Sequence, residues 1–252
     1  MHTDNTGVGG RPVPPVPDPP GVAVTVPADW PTTAEAARAE QERLRPLVVP
    51  EGPEPPRRPG TLIAGVDVAY DDERDVVAAA AVLLDYATLD VVEQVTAVGR
   101  VAFPYLPGLL AFRELPAVLD ALSRLTRTPD LIVCDGYGLA HPRRLGLASH
   151  LGVHTGLPTL GIAKTPFTFT HEPPGDRRGD WSPLLDGPET VGRAVRTRQG
   201  VKPVFLSVGH RIGLPEATAV TLALTPSYRL PETTRRADSL CRRALAATVP
   251  AP

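Results

Sequence analysis

Residues 61–70 read TLIAGVDVAY, an apolar run rich in β-branched residues and broken by one carboxylate, Asp67. Such a run predicts a strand. A carboxylate inside a buried strand is costly unless it is paired or holds a cation; the alternative is an exposed position on a half-buried strand. Working outward, the Val-rich stretches 76–86 and 89–99 predict two more strands joined by a short turn. A Pro/Gly loop, 103–108, comes next. Leu115, Val118, Leu119, Leu122 and Leu125 then recur at helical spacing. Pro116 suits that helix's first turn, and Glu114 stands at its start, where the helix dipole favours a carboxylate. Residues 131–134, LIVC, predict a short buried strand ending at Asp135. A helix opened by Pro142, a strand over 159–163, strands over 191–196 and 204–208, and helices from 215 and over 232–247 complete the pattern. The Pro/Gly/Asp-rich segment 166–190 reads as an inserted loop. Three strands followed by alternating helices and strands predict an α/β fold, a mixed sheet flanked by helices.

The chain has 252 residues, enough for one sizeable core, and its 42% apolar content excludes wholesale disorder. Two cysteines, Cys134 and Cys241, exclude a disulfide framework. Many of the 31 prolines lie near the front, and residues 1–27 read as a disordered, polyproline-like tail. The remainder, 28–249, reads as a single domain. Thr32 and Glu35 have capping-box spacing and open a short helix that reaches Leu44 and stops at Pro46; residues 49–60 link it to the body. No apolar run approaches the roughly 18 residues that span a bilayer, and the front lacks a secretory signal pattern. A cytoplasmic monomer with no membrane partner is the expectation.

The net charge of −2 excludes a wholly basic nucleic-acid sleeve, yet it hides a polarity. Residues 61–190 carry 10 basic and 17 acidic groups, and residues 191–252 carry 10 and 3. An acidic centre can hold cations and a basic end can meet phosphates, although simple surface variation gives the same counts. Asp67 and Asp135 sit in strand contexts, and in open α/β sheets ligands gather at the carboxyl ends of strands. Gly136 and Gly138 permit close backbone approach to a ligand. With Glu114, these are three oxygen donors on separate elements, a set suited to Mg²⁺ or Mn²⁺ and to metal-assisted phosphate chemistry. The cysteines form no Cys-x-x-Cys pair, and the chain lacks a P-loop, a dinucleotide fingerprint and a Gly-x-Ser-x-Gly elbow. His150 and His154 have i, i+4 spacing but no intervening zincin glutamate, so they read as packing. In Pro104-Tyr105-Leu106-Pro107-Gly108, two prolines and a glycine stiffen a tip carrying an aromatic and an aliphatic side chain. Such a tip can wedge between bases or fold back on the core.

Read in order, several blocks resemble the motifs of one family, endonuclease V. They are IAGVDVAY (63–70), PYLPGLLAFRE (104–114), DGYGLAHPRRLGLASHLGV (135–153), GIAK (161–164), RTR (196–198), KPVFLSVGHRIGL (202–214) and the stretch 228–238 with its Pro, Arg and Ala-Asp. The helix near 35–44, including Gln41, fits the family's first helix. The resemblance covers roughly residues 28–247. It implies a ribonuclease H-like fold and Mg²⁺-dependent hydrolysis of the second phosphodiester 3′ to a deaminated base, chiefly hypoxanthine in DNA. Asp67, Glu114 and Asp135 are then the metal-binding carboxylates. His141 and Lys164 resemble the active-site histidine and lysine, and His210 the later active-site histidine. Tyr105, with Leu106 and Pro107, resembles the wedge. Gly108, Leu110, Gly136, Gly138 and Leu147 help form the base pocket, and Arg143 contacts phosphate or orders a loop. An inosine-specific endoribonuclease and a catalytically silent nucleic-acid binder are the alternatives. Ala69 stands where the family more often has Ser, and the front tail has no counterpart.

Overall fold

In the strand Leu62–Asp71 (β1), alternate residues part to two faces. Leu62, Ala64 and Val66 join one core, while Ile63 and Ala69 join others on the opposite face. The computed structural model describes residues 21, 22, 24 and 27–248. Most of the tail reading, 1–20 with 23, 25 and 26, lies outside the described residues. Val22 and Val24, inside the stretch 1–27, pack against the first core.

β1 pairs antiparallel with Val76–Asp85 (β2), which pairs antiparallel with Val91–Arg100 (β3). On its other side β1 pairs parallel with Leu131–Cys134 (β4), which pairs parallel with Thr159–Ala163 (β5). Trp181–Asp186 (β6), Glu189–Val195 (β7) and Val204–His210 (β8) complete an eight-stranded sheet, ordered β3-β2-β1-β4-β5-β8-β7-β6. The helices are Ala34–Leu44 (α1), Leu110–Ser123 (α2), Leu147–Thr155 (α3), Leu214–Ala223 (α4) and Glu232–Thr248 (α5). α2 and α3 cover the face of Leu62, Ala64 and Val66. α4 and α5 cover the other. The sheet and its helices are the α/β architecture expected from the sequence, of the ribonuclease H-like kind.

Four local readings change. Thr33, not Thr32, caps α1, its hydroxyl accepting from the Ala36 N–H. α2 begins at Leu110, so Glu114 and Pro116 lie inside the helix rather than at its start. An interior proline removes the N–H that would bond the carbonyl four residues back. That carbonyl belongs to Phe112, and the Trp30 indole N–H donates to it at 2.9 Å. α3 begins after Gly146, not at Pro142. Segment 166–190 holds β6 and the start of β7. Pro183 hid that strand, but β6 is an edge strand, where a missing N–H is tolerated. His150 and His154 do pack: His150 stacks on Trp30 and His154 and meets Phe112 edge-on.

α5 lies on β1 at Gly65, where an added Cβ would come 2.3 Å from the Thr233 backbone. Gly65→Val therefore has to lift α5 off the sheet. A loss of about 2 kcal/mol or more is expected, read as a lower urea midpoint.

Candidate active site

β1 and β4 run parallel with Val66 opposite Cys134, which sets Asp67 beside Asp135 at the strands' carboxyl ends. Alternation along β1 turns Asp67 to the face of Gly65, where α5 packs. Glu114 comes from the second turn of α2 and is only 9% exposed. Lys164 follows the last residue of β5, and its ammonium pairs with the Asp135 carboxylate. All four line one open cavity of about 400 Å³, with Tyr70, Tyr105, Leu106, Pro107, Gly108, Leu110, Gly136, His141, Leu147 and Phe167 among its other walls.

The carboxylates are crowded. Burial, then the charge of Asp135, pushes Asp67 up to about 7, while Lys164 partly offsets this. Burial, then Asp67 and Asp135, pushes Glu114 up to about 8. Burial alone would lower Lys164, but its hydrogen bond to Asp135 and the charges of Asp135, Asp67 and Asp238 hold it above its ordinary value. Among the described residues no three His, Cys, Asp or Glu side chains already stand in ligating array. The donor set nonetheless fits a hard divalent cation: oxygen-only, over-rich in negative charge, and neutralised in part by one movable ammonium.

The loop after β3, which leads into α2, forms another part of the wall. Tyr105 is 68% exposed at its tip, while Leu106 packs back towards Phe103, Leu109 and Phe112. Gly108 has φ +78°, a left-handed conformation that favours glycine. Its carbonyl accepts three side-chain hydrogen bonds: Gln41 Nε2 at 3.0 Å, His141 Nε2 at 2.9 Å and an Arg143 guanidinium nitrogen at 2.8 Å. His141 Nδ1 accepts from the Arg143 backbone N–H, so the ring is the neutral Nε2–H tautomer. Burial, then Arg143, pushes its pKa down to about 4.

Three expected site residues lie elsewhere than the cavity wall. His210 ends β8, paired with Thr159 at the start of β5, so it sits at the opposite end of the sheet from Lys164. Five residues of strand separate those ends, roughly 16 Å. There its Nδ1 accepts from the Val49 N–H, fastening the segment after α1. Gly138 is behind the wall: its N–H donates to Ser207 Oγ, and an added Cβ would come 2.0 Å from the Val208 carbonyl. Arg143 spends its guanidinium on Gly108 and on the Gln41 side-chain oxygen.

Other residues come forward. Asp238, on α5, places its charge on both Asp67 and Lys164. It is the Asp of the Ala-Asp in the last sequence block, and its position beside the buried Ala237 and Cys241 was the available signal. Tyr70 buries its hydroxyl beside Glu114 and Arg113. Phe167, 42% exposed on the cavity wall near the Tyr137 ring, had no signal beyond its loop.

Carboxylates from two strand ends and one helix of a ribonuclease H-like fold, sharing a cavity with a Pro/Gly loop that exposes a tyrosine, define a nuclease-type site. The family model for endonuclease V matches residues 43–239. Endonuclease V of Streptomyces coelicolor is 70% identical over 225 residues, covering 89% of this chain and 96% of that protein. The crystal structure of endonuclease V from Streptomyces avermitilis aligns with a TM-score of 0.85 at 68% identity, over 90% of this chain and 99% of that one. Endonuclease V of Ciona intestinalis, in complex with a 24mer DNA containing an inosine followed by a ribo-adenosine, aligns with a TM-score of 0.69 at 25% identity, over 85% and 98%. The chain belongs to the endonuclease V family.

Because the Asp67 and Glu114 pKa values are raised above their ordinary 3.8 and 4.5, their contribution to folding is full when both are protonated at low pH. It is lost as pH rises through about 7 and 8. Without divalent metal, Glu114→Gln is therefore expected to raise Tm by a few degrees at pH 8 and to change it little at pH 4, measured by thermal unfolding in EDTA.

Proposed function

We propose that this protein is a divalent-metal-dependent DNA repair endonuclease that hydrolyses the second phosphodiester 3′ to deoxyinosine, leaving a 3′-hydroxyl and a 5′-phosphate. The observation that carries the reading is one cavity lined both by the carboxylates Asp67, Glu114 and Asp135 and by the Tyr105 loop. In this reading the three carboxylates hold Mg²⁺, for which Mn²⁺ substitutes. When bound, the cation lowers the pKa of an attacking water and neutralises charge at the phosphate.

The remaining chemistry belongs to the chain. Asp67 and Glu114 release protons as they take up the cation, so affinity rises with pH through about 7 to 8. Lys164, which shares Asp135 in the free protein, offers its ammonium to a phosphate oxygen. Tyr105 enters the gap left by the extruded base, with Leu106 and Pro107 stiffening its approach. Gly108, Leu110, Gly136 and Leu147 form a narrow, largely apolar slot for that base. Gly136, at φ +145°, lies against the Leu147 side chain, which an added Cβ would meet at 3.5 Å. Hypoxanthine lacks guanine's 2-amino group and pairs weakly, so a narrow slot and easy extrusion both discriminate. The His141 ring serves the slot as a neutral, fully hydrogen-bonded wall.

The partner in this reading is DNA carrying a deaminated base, met by a cytoplasmic monomer; no helix among the described residues is long and apolar enough to cross a membrane. Inosine-containing RNA is the second reading, favoured by the ribo-adenosine that follows inosine in the Ciona intestinalis complex. Matched oligonucleotides with one inosine or one deoxyinosine separate the two, and preferential cutting of RNA would replace the first reading.

With Mg²⁺, the protein is expected to nick a deoxyinosine duplex at the second bond 3′ of the lesion and to stop in EDTA. Asp135→Ala is expected to slow nicking about a hundredfold or more while gel-shift binding in Ca²⁺ persists. A wild-type protein that binds but never nicks would instead be a silent binder.

A further inference from the structure

The Gly108 carbonyl is the most heavily engaged acceptor in the cavity wall, and none of its three donors belongs to its own loop. Gln41 reaches it from α1, 67 residues away in sequence, while His141 and Arg143 reach it from the turn before α3. Gln41 is 1% exposed and binds on three sides: its amide nitrogen donates to Gly108 and to the Leu145 carbonyl at 3.1 Å, and its oxygen accepts from Arg143 Nε. A carbonyl offers two lone pairs, so three donors over-determine its position. The carbonyl ends the loop whose tip is Tyr105, and the left-handed φ of Gly108 fixes the direction in which that loop leaves. An added Cβ at Gly108 would meet the Arg143 guanidinium at 3.1 Å and the His141 ring at 3.5 Å.

We infer that Gln41, with His141 and Arg143, forms a clamp that holds the Tyr105 loop rigid, making Gln41 a positioning residue for base extrusion. This rests on Tyr105 acting as the wedge. A wedge works only if its tip does not yield as bases press on it, and a proline-stiffened tip on a loose base would swing as a body. The clamp supplies that base. It also gives His141 a positioning part, because both its ring nitrogens are committed to the loop and to Arg143.

Two measurements decide the point. Cys134 and Cys241 are buried, so a nitroxide attached at Tyr105→Cys reports the loop selectively. Its spectrum is expected to be broad, and Gln41→Met, close in shape but unable to hydrogen-bond, is expected to sharpen it at unchanged circular dichroism. An unaltered spectrum overturns the clamp. That readout needs no substrate, so it stands even if the protein proves not to nick inosine DNA, an outcome that would count against the proposed function alone. The second measurement is a double-mutant cycle on a deoxyinosine duplex. Gln41→Met and Tyr105→Ala are each expected to lower kcat/KM about tenfold, and the pair together no more than about twentyfold, because one acts through the other. A multiplicative, roughly hundredfold loss overturns the proposal, as does no loss in either single variant. Should Gln41→Met fail to fold, Arg143→Met takes its place in both measurements.

Discussion

Two carboxylates set side by side by parallel strand pairing are the constraint on which the rest of this structure turns. Once β1 and β4 pair with Val66 opposite Cys134, Asp67 and Asp135 must share one end of the sheet. Glu114 is then brought towards them from α2, beneath almost complete cover. Repulsion and lost hydration press protons onto Asp67 and Glu114, and the one nearby ammonium, Lys164, is drawn to Asp135. The arrangement is expensive for a free protein and favourable for a protein that takes up a doubly charged cation. Residues remote from the reacting atoms serve to keep that crowding in place, Gly65 by letting α5 approach and Trp30 by completing α2.

The site also divides rigidity from exposure. Part of its wall is built on strand ends and a helix, and part on the loop before that helix. Side chains from α1 and from the turn before α3 convert that loop into a fixed wall. Arginine spends much of its capacity in the same way elsewhere. Arg196 donates to the carbonyls of Gly175 and Pro174, and Arg229 to those of Lys202 and Pro203. Arg198 donates to Ser227. The basic end of the chain is therefore less a field of free charge than its composition suggests, because several of its guanidinium groups are loop fasteners.

What the sequence disclosed follows from where its signals are local. Asp67 inside TLIAGVDVAY and Asp135 after LIVC announced themselves as carboxylates in apolar strands, and the tertiary structure sets them together. The Pro-Tyr-Leu-Pro-Gly tip was legible because proline and glycine are local punctuation. Elements that depend on distant partners were not. The early start of α2 was hidden by Pro116, whose cost is relieved from Trp30, far away in sequence. β6 was hidden by Pro183, acceptable only because the strand lies at an edge. His210 looked like a site residue because its surrounding block is distinctive, but antiparallel pairing of β8 with β5 carries it to the wrong end of the sheet. Asp238 was passed over because a lone carboxylate on an amphipathic, arginine-rich helix resembles ordinary surface charge until α5 is seen lying across β1.

The bond from Trp30 to the Phe112 carbonyl joins residues 82 positions apart. A helix is usually a self-contained ladder, each rung closed within a few residues. Here one rung of α2, two residues before Glu114, is closed by the chain's front end. α2 consequently does not close its own ladder: near its start, one carbonyl takes its hydrogen bond from the front segment. The helix that carries the buried carboxylate thus draws one of its backbone partners from outside itself, which ties the site's acid to the front segment's packing.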